Sequence, residues 1–270
     1  MKMENQQFDM EHHTYVMGIL NVTPDSFSDG GKFNTPEAAR KQVEKMIAEG
    51  ADIIDVGGES TRPGYDEVPI PEEINRVVPM IRWIKENFAV PVSVDTYKYE
   101  VAKAALEAGA DMLNDISCLR DPRLAPLAAK YGCAYCLMHN RANAEYSDYM
   151  EDVKSDLRAA LTILEEAGVA REQIVIDPGV GFAKSYEQNL QIIARLAELK
   201  KLGYPILLGT SRKSVIGLTL DLPVAERLEG TLATTACAVE AGCSFVRVHD
   251  VKENVRLIRM LEAIRDSVVN

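Results

Sequence analysis

The chain has 270 residues, 47% apolar and 26% charged, the balance of an ordinary globular protein. This composition excludes a disordered, collagenous or coiled-coil chain, and the length suits one α/β barrel or two smaller domains. A net charge of −11 excludes a sequence-independent nucleic-acid binder and disfavours an anionic membrane surface. An anionic substrate would need a local cationic pocket. Residues 1–13 read as a polar, acidic N-terminal tail without a secretion signal. No apolar run approaches the ~18–20 residues of a membrane span, so a cytoplasmic protein is expected. Five cysteines, an odd number, are expected to be reduced thiols. Cys133 and Cys136 share a C-x-x-C spacing, but the apolar run around them favours core thiols over a redox or zinc site.

In chain order, strands are predicted near 15–20, 52–56, 91–95, 111–114, 133–138, 174–177, 205–209 and 244–248. A helix-like stretch follows each. The first helix, 36–50, places Ala39, Val43, Met46 and Ile47 on one face, the spacing of a helix that covers a sheet. Thr35-Pro36 and Asp121-Pro122 put a capping side chain before a first-turn proline, and Ser185 with Gln188 fits a capping box. Helical stretches repeatedly end in Gly before the next strand, as at Gly50, Gly109, Gly132, Gly168, Gly203 and Gly242. The strands are short, nearly continuous apolar runs, as expected of parallel strands buried on both faces. Eight βα units without a linker point to a (β/α)8 TIM barrel forming one domain over residues 14–270, with a doubly wound open sheet as the alternative.

A barrel places its active site at the C-terminal ends of its strands. The residues leaving those strands are polar throughout: Asn21, then Gly57-Gly58-Glu59-Ser60, Asp95, Asn114-Asp115, His139-Asn140, Asp177, Ser211-Arg212-Lys213-Ser214, and Arg247 with His249. Arg247 and His249 alternate, so they share a face. Asp250 would cap a helix starting near Val251, and that N-terminus with Arg247 and His249 suits a phosphate or diphosphate. Asp95, Asn114, Asp177 and Lys213 offer acceptors and a donor for a flat polar heterocycle such as a pterin. The two early loops, rich in Gly and Pro, could close over a substrate, and Thr61 and Arg62 could meet a second, anionic one.

The motifs carry a resemblance. Asn21-Val22-Thr23-Pro24-Asp25-Ser26-Phe27-Ser28-Asp29-Gly30-Gly31 and Gly57-Gly58-Glu59-Ser60-Thr61-Arg62-Pro63-Gly64 resemble the two signatures of the dihydropteroate synthases. Asp177-Pro178-Gly179-Val180-Gly181-Phe182, Ser211-Arg212-Lys213-Ser214 and Arg247-Val248-His249-Asp250 resemble later motifs of that family, in the same order. The resemblance runs from about residue 14 to the C-terminus. It implies condensation of (7,8-dihydropterin-6-yl)methyl diphosphate with 4-aminobenzoate to give 7,8-dihydropteroate and diphosphate, a step of folate synthesis. It implies that Asp95, Asn114, Asp177 and Lys213 bind the pterin. Asn21, Arg247 and His249 would bind diphosphate, with Asn21 on the side of a Mg2+ ion. Phe27, Thr61, Arg62, Pro63, Phe182 and Ser214 would surround the aminobenzoate. Asp29, Asp95, Lys213 and Arg247 would carry catalysis. It also implies a homodimer and sensitivity to sulfonamides, which mimic 4-aminobenzoate.

On this reading the diphosphate leaves first, from a carbon conjugated to the electron-rich dihydropterin, and the neutral aromatic amine needs no strong base. Catalysis is then mainly positioning and electrostatics. Cys118 and Ala183 stand where many members have Gly, Ser185 replaces a commoner Thr, and 140–144 replaces a Gly-rich segment, which leaves the strand-5 loop without an assigned role. Three rival readings are a methyltransferase of the same superfamily, a Schiff-base enzyme using Lys213, and a silent pterin or partner binder.

Overall fold

The computed structural model describes residues 1–4, 6–22, 36–60 and 67–267. Eight parallel strands follow one another along the chain: β1 (Tyr15–Asn21), β2 (Ile53–Gly57), β3 (Val92–Asp95), β4 (Met112–Asp115), β5 (Ala134–Met138), β6 (Ile174–Asp177), β7 (Leu207–Leu208) and β8 (Phe245–Val248). Each of β1 to β5 pairs with its successor, and β8 pairs with both β1 and β7. A parallel bridge between Ile176 and Ile206 joins β6 to the residue ahead of β7, so the sheet returns on itself. That closure makes a barrel and removes the open-sheet alternative.

The helices that cover the barrel include α1 (Pro36–Glu49), α2 (Ile70–Asn87), α3 (Tyr99–Glu107), α4 (Leu124–Tyr131), α5 (Tyr149–Glu166) and α6 (Tyr186–Ala194). The short α7 (Leu196–Leu199) and α8 (Ser214–Leu220) precede α9 (Leu228–Glu240) and α10 (Val251–Asp266). In α1, Ala39, Val43 and Met46 are buried and Ile47 is partly buried, as the spacing predicts. Gly50 and Gly109 take φ of 98° and 104°, the left-handed turn that lets a helix end and a strand begin at once. The capping box at Ser185 and Gln188 forms as expected. Three local expectations differ. Asp121 does not begin α4; its carboxylate accepts from the Arg123 amide at 3.0 Å and binds the same residue's guanidinium, so the helix starts at Leu124. β7 is only two residues long, because Pro205 has no N–H for the ladder and contributes only its carbonyl, to Ile176 N at 2.9 Å. Asp250 occupies the N-cap position of α10, but its side chain caps nothing.

Strand alternation sorts the core into two parts. Val16, Ile54, Val56, Val94, Leu113 and Leu137 face outward into the layer between sheet and helices. Met17, Ile53, Met112, Ala134, Cys136, Val175, Leu207 and Phe245 face inward and fill the lower barrel. Cys133 belongs to the outer layer and Cys136 to the inner one, so the two sulfurs lie on opposite faces of the strand and are core thiols. The stretch ahead of β1 pairs Lys2–Met3 with Gln6–Gln7, and its Met1, Met3 and Phe8 bury against the inner cluster. Its polar composition conceals three apolar side chains that seal the bottom of the barrel. Among the described residues no helix is long and apolar enough to cross a membrane.

Candidate active site

Above the apolar floor, the same inward parity changes character. Asp55 on β2, Asp95 on β3, Asn114 on β4, Asp177 on β6 and Arg247 on β8 all point into the upper barrel. Asp95, Asn114, Asp177 and Arg247, with Asn21, Phe182, Lys213, Ser214 and His249, line one cavity of about 270 Å³. The structure thus brings together nine of the residues expected there from sequence. Phe27, Asp29, Thr61, Arg62 and Pro63 lie outside the described residues.

Arg247 organises this cavity. Its Nε donates to Asp55 Oδ2 at 2.6 Å and its Nη2 to Asp95 Oδ2 at 2.6 Å. Burial works against the cation, but the two carboxylates more than offset it and raise its pKa further. Asp55 is fully buried and also receives Asn114 Nδ2 at 3.3 Å. Burial, with Asp55 and Glu73 nearby, pushes Asp95 up to about 7 against the pull of Arg247. Among the described residues, Asp55 Oδ1 and Asp95 Oδ1 are buried without a hydrogen-bond partner. Asp95 lines the cavity, and a buried carboxylate oxygen left bare there fits a ligand that carries N–H donors.

Asp177 and Lys213 form the facing wall. The space beside Gly209 is bounded by Asp177 Oδ2, Arg247 Cβ and Lys213 Nζ, at 3.6, 3.8 and 3.9 Å from where a β-carbon would sit. Asp177 Oδ1 accepts from Gly179 N at 2.7 Å, and burial raises its pKa. Burial pushes Lys213 down to about 8, although Asp177 and Asp95 hold it up. Its ammonium donates to Val180 O and lies 4.8 Å from the Phe182 ring centroid.

At the mouth, Ser211 Oγ accepts from His249 N at 3.1 Å and lies 3.0 Å from His249 Nδ1. Asp250 pairs with Arg212, whose Nε donates to it at 2.9 Å. A full guanidinium competes better for that carboxylate than a backbone N–H, which is why the expected cap does not form. Arg212 holds φ of 58°, a conformation that costs a non-glycine residue energy and is typical of functional sites.

Reading strand ends alone misses Asp55, which sits in mid-strand. The signal is there: an Asp inside the apolar run Ile53-Ile54-Asp55-Val56, two residues before Gly57 and hence on its face. Ser211 and Arg212, and their partners His249 and Asp250, belong to two motifs already noted, but nothing in the sequence pairs one motif with the other.

Residues 17–249 match the family described as pterin binding enzyme. The chain is 58% identical over 266 residues to the dihydropteroate synthase of Clostridium beijerinckii, covering 98% of this chain and 99% of that one. A Clostridium difficile dihydropteroate synthase solved with pteroic acid superposes with a TM-score of 0.92 at 50% identity, covering 96% of this chain and 99% of the other. The Xanthomonas albilineans enzyme solved with 4-aminobenzoic acid gives 0.90 at 43% identity, covering 94% and 93%. Fold, inward-facing polar set and these likenesses agree: the chain belongs to the dihydropteroate synthase family of pterin-binding enzymes.

Proposed function

We propose that this enzyme condenses (7,8-dihydropterin-6-yl)methyl diphosphate with 4-aminobenzoate, releasing 7,8-dihydropteroate and diphosphate. The observation that carries this reading is the pair of bare buried oxygens, Asp55 Oδ1 and Asp95 Oδ1, beside the Arg247 guanidinium. Acceptors on Asp95, Asn114 and Asp177, facing the Lys213 donor, suit the amino and amide edge of a pterin. Among the described residues Arg247 Nη1 carries no hydrogen bond, which leaves it for a diphosphate oxygen near His249.

In the step itself, the bond between the pterin methylene and the diphosphate oxygen breaks and its electron pair leaves with diphosphate. Arg247 and His249 stabilise that departing charge, while Asp95 and Asp177 favour the cationic pterin left behind. The amine nitrogen of 4-aminobenzoate then bonds to the methylene carbon and gives up one proton to solvent. Phe182 and Ser214 hold the aromatic ring, together with the expected contacts Phe27, Thr61, Arg62 and Pro63. Asp29 completes the catalytic set alongside Asp95, Lys213 and Arg247.

The donor set bears on the Mg2+ expected here. Among the described residues no group of three or more His, Cys, Asp or Glu could hold a metal. A single carboxamide, that of Asn21, in the cavity lining fits an ion that keeps its waters and takes substrate phosphate oxygens. When bound, Mg2+ would neutralise diphosphate charge. Exposed Leu218 and Leu220 on α8 and Met260 on α10 support pairing with a second copy of the chain. Free, mostly buried thiols suit a cytoplasmic setting. Sulfonamides should compete with 4-aminobenzoate for the Phe182 side of the cavity.

Mass detection of dihydropteroate from the two substrates tests the reading. Product that requires both substrates is expected; pterin binding without product would contradict it.

A further inference from the structure

The loop after β5 has no part in the reaction as derived, yet it carries a connected polar cluster beside the cavity. His139 is fully buried at the end of β5, and its Nε2 lies 3.1 Å from Asp156 Oδ2 on α5. With Nε2–H donating to that carboxylate, Nδ1 is left as an acceptor, and Lys184 Nζ reaches it at 3.0 Å. Lys184 also donates to Phe182 O at 3.0 Å. Arg141 binds Asp156 from the other side and lies 4.5 Å from the Tyr146 ring centroid. The Tyr146 hydroxyl donates to Ala183 O at 2.9 Å.

The segment these bonds hold is the one after β6, which carries Phe182 into the cavity. It has no helix or strand ladder, so side chains must satisfy its carbonyls. Phe182 O is taken by Lys184, Ala183 O by Tyr146 and Val180 O by Lys213. The two loops also touch directly, since a β-carbon on Gly179 would stand 1.9 Å from His139 O. Among the described residues Lys184 makes no ion pair, although burial pushes its pKa down to about 7. A half-buried lysine is usually repaid by a carboxylate. This one is held between an imidazole and the Phe182 carbonyl, a position that serves the loop.

We propose that Lys184 is a positioning residue for the aminobenzoate side of the cavity, fixing Phe182 through its carbonyl, and that the strand-5 loop frames this segment, with His139 holding Lys184 and Tyr146 holding the Ala183 carbonyl. This inference rests on the functional reading above, in which Phe182 meets 4-aminobenzoate.

The experiment is steady-state kinetics on the full-length enzyme, with each substrate varied in turn, for wild type, Lys184→Met and Tyr146→Phe. Lys184→Met should raise KM for 4-aminobenzoate about tenfold or more and leave KM for the pterin diphosphate within about twofold. Tyr146→Phe, which removes only the Ala183 contact, should give a smaller rise of about threefold in the same constant alone. It also carries the test if Lys184→Met does not fold. An unchanged aminobenzoate KM, or an equal rise in both constants, overturns the proposal. A wild-type enzyme that forms no aminobenzoate-dependent product overturns the functional reading first, and this inference with it.

Discussion

Arg247 and Asp95 meet at 2.6 Å although their strands, β8 and β3, are not neighbours in the sheet. The contact crosses the barrel interior. It needs both side chains to point inward at the same height, which strand parity provides. Asp55 makes the arrangement three-cornered, with one guanidinium shared between two buried carboxylates.

That sharing gives Asp55 a measurable role. In Asp55→Asn, Arg247 keeps Asp95 but meets a neutral carboxamide at Nε in place of a carboxylate, and Asn114 loses a charged partner. Stability should fall by about 1–3 kcal/mol, as when one hydrogen bond to a charged group is weakened. KM for the pterin diphosphate should rise about tenfold or more, with the aminobenzoate KM little changed. Denaturant unfolding and steady-state kinetics check the two effects separately.

Gly209 faces the cavity among Asp177, Arg247 and Lys213. A methyl group there would meet its neighbours at ordinary contact distances, so folding should tolerate it. The same methyl would occupy ligand space. Gly209→Ala should therefore weaken pterin binding about tenfold while Tm shifts by no more than ~2 °C. A matching loss of Tm and binding would show a packing defect instead.

His139 supplies a pH dependence of stability. Burial and the neighbouring Lys184 push its pKa from 6.5 down to about 4, against the pull of Asp156. The unfolded chain therefore takes up a proton at this site before the folded one does. The sign follows: the contribution is fully present above about pH 6.5 and is lost as pH falls toward 4. Its size is on the order of 3 kcal/mol at most. Unfolding free energies at pH 7.5 and 5 should differ more in wild type than in His139→Gln; equal differences would remove His139 from the account.

Ala183 holds φ of 43° and Cys118 φ of 58°, in the left-handed region where a β-carbon is crowded. Both stand where the family resemblance expects glycine. Ala183→Gly should relieve about 1 kcal/mol of strain and return part of it as unfolded-state entropy. Calorimetry should find Tm raised by ~1–3 °C. A fall in Tm would mean that the backbone here carries no strain worth removing.

Much of the site was legible in the sequence because the barrel ties chemistry to strand ends. Short apolar runs after glycine mark the strands, and the residue leaving each run enters the mouth. This reasoning reached Asn21, Asp95, Asn114, Asp177, Arg247 and His249 from their own positions. It missed Asp55, because a mid-strand Asp among isoleucines reads as part of the run until the inward parity is traced. It missed Lys184 for a different reason. Nothing local links residue 184 to residue 139; only the packing of the β5 and β6 loops against each other brings them to 3.0 Å. Asp250 shows the reverse case, a local capping signal overridden by a guanidinium 38 positions away.

The central claim is that this cavity joins a pterin diphosphate to 4-aminobenzoate, with Arg247 serving the departing diphosphate. The most direct measurement is diphosphate release by the purified enzyme with Mg2+, with and without 4-aminobenzoate, for wild type and Arg247→Ala. The account predicts release that depends on 4-aminobenzoate in wild type and collapses in the variant. Release independent of 4-aminobenzoate, or undiminished in Arg247→Ala, would contradict it.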